Sequence, residues 1–145
     1  MFMGSYQHAL DPKGRVTLPS VFREKVEGGV VITVGIDNCL AIRPVAEWER
    51  FTENLRELQT TDERARMAFR SLFGSAHADT VDRQGRVTIP APLREYARLQ
   101  RDVTLVGADT FVELWDSENW QIYRAKAMAA YATTNQPFAA VGGRA

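Results

Sequence analysis

The sequence predicts an α+β fold, mainly β with helices, in which two tandem copies of one small β-rich motif interleave into a closed barrel. Two observations predict it. First, Asp11-Pro-Lys-Gly14-Arg15-Val-Thr-Leu-Pro19 returns as Asp82-Arg-Gln-Gly85-Arg86-Val-Thr-Ile-Pro90, 71 positions further on. The frame holds back to Phe2 and Phe73 and forward to Arg23-Glu24 and Arg94-Glu95. After one inserted residue, Val31, Val34, Gly35, Asp37 and Trp48 match Val103, Val106, Gly107, Asp109 and Trp120. Ordered self-similarity of this length marks a duplicated unit. Second, each copy alternates short β-rich runs with turn residues and ends in an amphipathic helix. About four short strands per copy cannot bury both faces alone; interleaved hairpins related by a pseudo-twofold axis remove the open edges.

The elements follow in order. A strand is expected over Ser5–Leu10, and its counterpart over Ala76–Val81. Asp-x-x-Gly then turns the chain, the Asp side chain capping backbone amides and Gly taking a positive φ at little cost. Short strands Arg15–Leu18 and Arg86–Ile89 lead into Pro19 and Pro90. Proline fits the first turn of a helix, where its missing N–H is no loss, so helices are expected over Pro19–Val26 and Pro90–Leu99. Apolar runs Val30–Val34 and Val103–Val106 read as strands, Gly35–Asn38 and Gly107–Thr110 as turns, and Cys39–Arg43 and Phe111–Trp115 as the returning strands. Val45, Trp48, Phe51, Leu55 and Leu58 recur at helical spacing. Thr60-Thr61-Asp62-Glu63 resembles a capping box for a second helix through Phe73, with Gly74 as C-cap. Ser117 is the expected N-cap of a helix over Glu118–Ala132, which groups Trp120, Tyr123, Ala127 and Tyr131. The chain therefore divides into a first repeat (residues 1–59), a connecting helix (60–74), a second repeat (75–132) and a mobile tail (133–145) carrying Pro137 and Gly142-Gly143.

Composition bounds the function. The 145 residues are 45% apolar and 25% charged, a globular profile. No apolar run approaches the roughly 18 residues of a membrane span. The N-terminus lacks a basic flank followed by an apolar stretch, so no signal peptide is expected and the reading is cytoplasmic. One cysteine, Cys39, excludes an intrachain disulfide and leaves no metal cluster to build. The formal net charge is zero, which argues against non-specific DNA coating but not against a local basic surface.

No enzymatic constellation stands out, and no cofactor, metal or small-molecule substrate is expected. His8 and His77 are not repeat equivalents, since His8 aligns with Asp79. Cys39 reads as a small buried hydrophobe. Asp11 and Asp82 form an acid pair in principle, but each has a Gly three residues on and is better explained as a turn cap. The sharper signal is the duplicated Asp-x-x-Gly-Arg. Gly14 and Gly85 let the backbone turn, and Arg15 and Arg86 follow at the turn edge. The nearby Asp restricts each guanidinium, lowering the entropy lost on binding. Lys13 and Arg83 lie in the same turns, where mobile cations suit phosphate. A single copy would read as a surface ion pair; two copies read as a two-pronged site.

These motifs, at this spacing and over Phe2 to about Tyr131, resemble the MraZ family of bacterial regulators associated with the division and cell-wall gene cluster. Its halves are similar to the AbrB/MazE/SpoVT swapped-hairpin DNA-binding domains. The resemblance implies a double-split β-barrel made from both repeats, with helices assembling chains into a homo-oligomeric ring. It implies a nucleoid-associated transcription factor binding double-stranded DNA at closely spaced, G-rich promoter direct repeats. Arg15 and Arg86 are then the base readers, and Asp11, Gly14, Asp82 and Gly85 shape their loops. An antitoxin-like partner-binding module on the same fold is the alternative, although such proteins usually add a long acidic segment and residues 133–145 carry only Arg144. A purely structural oligomer is a third reading that leaves the paired arginine turns unexplained. Trp48, Phe51, Leu55, Leu58, Phe69, Leu72, Phe73, Trp120 and Tyr123 exceed what a small barrel core needs, so contacts between chains are expected.

Overall fold

A computed structural model describes residues 1–57 and 61–138. Leu58 of the apolar stripe, Thr60 of the capping box and the 139–145 part of the tail, with Arg144, lie outside the described residues. Among the described residues, eight strands and five α-helices follow one another as β1 (Ser5–Ala9), β2 (Arg15–Thr17), α1 (Ser20–Arg23), β3 (Val30–Val34), β4 (Leu40–Pro44), α2 (Val45–Leu55), α3 (Glu63–Ser75), β5 (His77–Asp79), β6 (Arg86–Thr88), α4 (Ala91–Tyr96), β7 (Asp102–Ala108), β8 (Phe111–Asp116) and α5 (Ser117–Thr133).

The two copies exchange strands. Six strands form one antiparallel sheet in the order β1-β7-β8-β4-β3-β5, and β2 pairs with β6 in a separate ribbon. Thus β1 of the first copy lies on β7 of the second, and β5 of the second lies on β3 of the first. The two hairpins meet at the centre, where β4 pairs with β8. This order is symmetric about its middle, as a duplicated unit related by a twofold axis requires.

The expected single closed barrel is not formed by hydrogen bonding. The reason is local. Each copy leaves the large sheet at its Asp-x-x-Gly turn, and the three-residue strands that follow pair with each other. The ribbon closes over the sheet by side chains instead. Val16 and Val87 at its centre, with Leu18 and Ile89 beyond, are buried in the same core as Val30, Ile32, Leu105 and Leu114. Phe22 from α1 fills that core, edge-on to Phe2 at 5.1 Å and to Tyr6 at 5.3 Å between centroids.

Several helix ends differ from expectation. Pro19 and Pro90 precede their helices at the N-cap position, with extended ψ of 141° and 150°, rather than sitting in the first turn. The first of these helices is a single α-turn continued by a 3-10 turn over Glu24–Val26. Asp62 precedes α3 without a side-chain capping bond, and Gly74 lies inside that helix rather than ending it. The N-cap of α5 is Asp116, whose carboxylate accepts from the Asn119 N–H at 3.1 Å. Asp outcompetes Ser117 because an ionised acceptor bonds an amide more strongly, and Ser117 instead shares a hydroxyl contact with Thr104 at 2.8 Å. Gly107 and Ala108 belong to β7, which shortens the second turn to Asp109-Thr110, with Asp109 at φ 66°. Cys39 is fully buried just before β4.

Three helices ride on the surface. Neither α3 nor α5 buries a residue, and α2 buries only Thr52. Ile122, Met128 and Tyr131 on α5 are each more than half exposed.

Candidate nucleic-acid interface

The site begins with two turns that fold identically. Asp11 Oδ1 accepts from the N–H groups of Lys13 at 2.9 Å and Arg15 at 2.8 Å, and its Oδ2 accepts from Arg15 Nε at 2.7 Å. Asp82 repeats this with Gln84 and Arg86, at 2.9 Å from each N–H and 2.8 Å from Arg86 Nε. Gly14 and Gly85 take φ of +77° and +78°, the left-handed region in which glycine is at little disadvantage. The backbone hydrogen bonds from Arg15 and Arg86, followed by their guanidiniums, hold the Asp11 and Asp82 carboxyls below the usual range.

The ribbon brings the turns together. The Leu18 N–H donates to Gly85 O and the Ile89 N–H to Gly14 O, both at 2.8 Å, so each glycine carbonyl anchors the other copy. Arg15 lies opposite Thr88, Val16 opposite Val87 and Thr17 opposite Arg86. Alternation along a strand sends Val16 and Val87 inward and the other four outward. Arg15 and Arg86 therefore share the outer face of one ribbon, their side chains 28% and 27% exposed. Lys13 and Arg83 are exposed in the two turns. In each arginine the ion pair to the Asp uses Nε rather than a terminal nitrogen.

Four residues, read in the sequence only as repeat matches, also belong to the site. Thr17 and Thr88 complete the outer face between the arginines. Arg23 and Arg94 pack their guanidiniums over the opposite copy's turn: a Cβ placed on Gly14 would lie 3.0 Å from Arg94 Cζ, and one on Gly85 would lie 2.6 Å from Arg23 Cζ. Both pairs occupy equivalent positions in the repeat, and that equivalence was the available signal. His8 and His77 are strand residues in β1 and β5. Burial, then the Arg23 charge, lowers the His8 pKa. Among the described residues no group of three or more His, Cys, Asp or Glu is placed to hold a metal, and no helix is long and apolar enough to cross a membrane.

A family model described as "MraZ protein, putative antitoxin-like" matches residues 1–71 and again residues 72–139. The chain belongs to the MraZ family. Similar proteins named "Transcriptional regulator MraZ" occur in Frankia alni, 52% identical over 85% of this chain and 86% of the relative, and in Frankia casuarinae, 50% identical over the same shares. Another, from Micrococcus luteus, is 44% identical over 94% of this chain and 95% of its own. The twofold match of the MraZ model follows the duplication read from the sequence.

Proposed function

We propose that this chain is a sequence-specific transcriptional regulator of the cytoplasm and nucleoid. It reads double-stranded DNA at promoter direct repeats of G-rich sequence, upstream of the division and cell-wall gene cluster. The observation that carries this reading is the pair of Asp-held arginines on the outer face of β2-β6. The major groove, about 12 Å wide, admits a two-stranded ribbon, and an arginine fork matches guanine O6 and N7. Arg15 and Arg86 are the base readers; Lys13 and Arg83, exposed beside them, meet phosphates; Asp11, Gly14, Asp82 and Gly85 hold the loops. The relatives' names as transcriptional regulators support the same reading.

The two halves form a double-split barrel in the sense that each contributes strands to the other, and the surface helices join chains into a ring. The exposed apolar residues of α5 and of α3, where Met67 is 60% exposed, support burial between chains. A ring presents many arginine pairs along one rim, so binding is multivalent and falls steeply as operator repeats are deleted or moved by half a turn.

Mobility-shift titration on the chain's own upstream DNA tests the reading. Arg15→Ala or Arg86→Ala should remove about 1–3 kcal/mol of discrimination per contact. Lys13→Ala or Arg83→Ala should weaken all sequences alike and flatten the salt dependence. Unchanged affinity in folded Arg15→Ala and Arg86→Ala oligomers sinks the assignment. The antitoxin-like wording of the family description favours one second reading, a partner-binding module, which an adjacent small toxin gene would support.

A further inference from the structure

The two arms of the ribbon are alike, but their flanks are not. On one side an open cleft of about 1180 Å³ lies between the end of β1 and the segment from α4 to β7. Arg94, Arg98 and Arg101 line it, together with the carboxylates of Asp11 and Glu95. Asp11 is already neutralised by Arg15. Among the described residues none of the three guanidiniums has an ion-pair partner, and Arg94 Nε is buried without a hydrogen-bond acceptor.

The backbone adds a second, independent sign. Arg98 closes α4 at φ +53°, its N–H donating to Glu95 O at 3.1 Å while the Leu99 N–H donates to Arg94 O at 3.0 Å. That left-handed position after a helix is usually glycine, because a Cβ is disfavoured there. In the first copy the matching turn reads Glu27-Gly28-Gly29, and the positive φ of +97° falls on Gly29. The second copy instead keeps a strained arginine, and strain retained in a fold points to use. Arg101 O accepts from the Leu10 N–H at 2.8 Å, which holds Arg101 beside the Asp11 turn. Arg94 lies against Gly14 in that same turn. The cleft therefore adjoins the first arginine prong. The first copy's flank, with Arg23, Glu24, Lys25 and Glu27, sets two positive charges against two negative ones and carries no such excess.

We propose that this cleft binds backbone phosphates on one side of the bases read by the ribbon, and so gives the reader a direction. The inference rests on the DNA-binding reading above. A ribbon bearing the same Arg-Val-Thr on both strands offers the same base contacts either way round, whereas direct repeats require every copy to lie the same way. Phosphate contacts set orientation without reading sequence, and the planar guanidinium suits them. The cleft is open to solvent and its lining has no aromatic ring on which a free nucleobase would stack.

Hydroxyl-radical footprinting and salt-dependent titration on the upstream DNA test this, using the full chain with Arg98→Gly, Arg101→Ala and both together. The wild type should protect backbone further on one side of each repeat. The double variant should lose that extension while keeping its base preference, and its log-affinity against log-salt slope should fall by about 0.9 for each phosphate no longer neutralised. Arg98→Gly should also melt at a higher temperature while binding more weakly, a split that a purely structural role would not produce. Variants with the wild-type footprint and slope overturn the proposal. So does a saturable thermal stabilisation by inorganic phosphate that the variants abolish without changing the footprint, which would assign the cleft to a free phosphate ligand. A wild-type chain that fails to retard this DNA defeats the DNA reading itself, and the cleft's role with it.

Discussion

Replacing Gly85 by Ala should destabilise the fold by an amount the geometry sets. Its φ of +78° places an L-residue in the left-handed region, at a cost of about 1–2 kcal/mol. The new methyl would also fall onto the Arg23 side chain, with Cζ at 2.6 Å, so Arg23 must move. Moving it breaks the bond from Arg23 Nε to Leu18 O, 3.2 Å long. Such charge-assisted bonds contribute about 1.5–3 kcal/mol, the lower end applying to an exposed arginine. With that lower end the sum is roughly 2.5–3.5 kcal/mol. Gly14→Ala should cost less, because Arg94 Cζ stands 3.0 Å away and Arg94 Nε has no bond to lose. Gly74, inside α3 with nothing near its Cβ position, makes the internal comparison: Gly74→Ala should stabilise by roughly 0.5–1 kcal/mol. Urea unfolding followed by tryptophan fluorescence measures all three. If Gly85→Ala and Gly14→Ala unfold at the wild-type midpoint, the left-handed turns are not the constraint described.

The Asp11 and Asp82 carboxyls, held below their ordinary value, contribute stability that is complete above the unfolded carboxylate pKa of about 3.9 and disappears as pH falls through the lowered folded value. In Asp11→Asn/Asp82→Asn that part of the acid limb should be missing, and an unchanged acid-unfolding curve would contradict it. Burial, then the nearby Glu113 charge, pushes the Cys39 thiol far up, and its side chain is fully covered. Alkylation at pH 8 should therefore be slow in the native chain and fast in denaturant; rapid native labelling would show that the β3–β4 turn opens.

The local part of this molecule was legible in the residues. Both Asp-x-x-Gly-Arg turns form through contacts within five residues, and apolar β-rich runs bounded by turn residues placed the β3–β4 and β7–β8 hairpins to within about two residues of their bounds. Helix ends were read less well: Asp116 takes the capping bond expected of Ser117, Pro19 precedes its helix instead of entering the first turn, and α3 runs through Gly74 to Ser75. What only the tertiary structure decided is which copy pairs with which. β1 and β5 carry the same local signals whether they lie on their own hairpin or on the other copy's. Only the packing of Val16, Val87 and Phe22 beneath one shared sheet selects the exchange. The same exchange turned two separate arginines into one outward face and carried Arg94 across to the first turn. Hydrogen bonds such as Ile89 N–H to Gly14 O span half of the chain. Nothing in a short stretch of sequence can encode such a partner, since its choice depends on burying both copies' apolar faces at once.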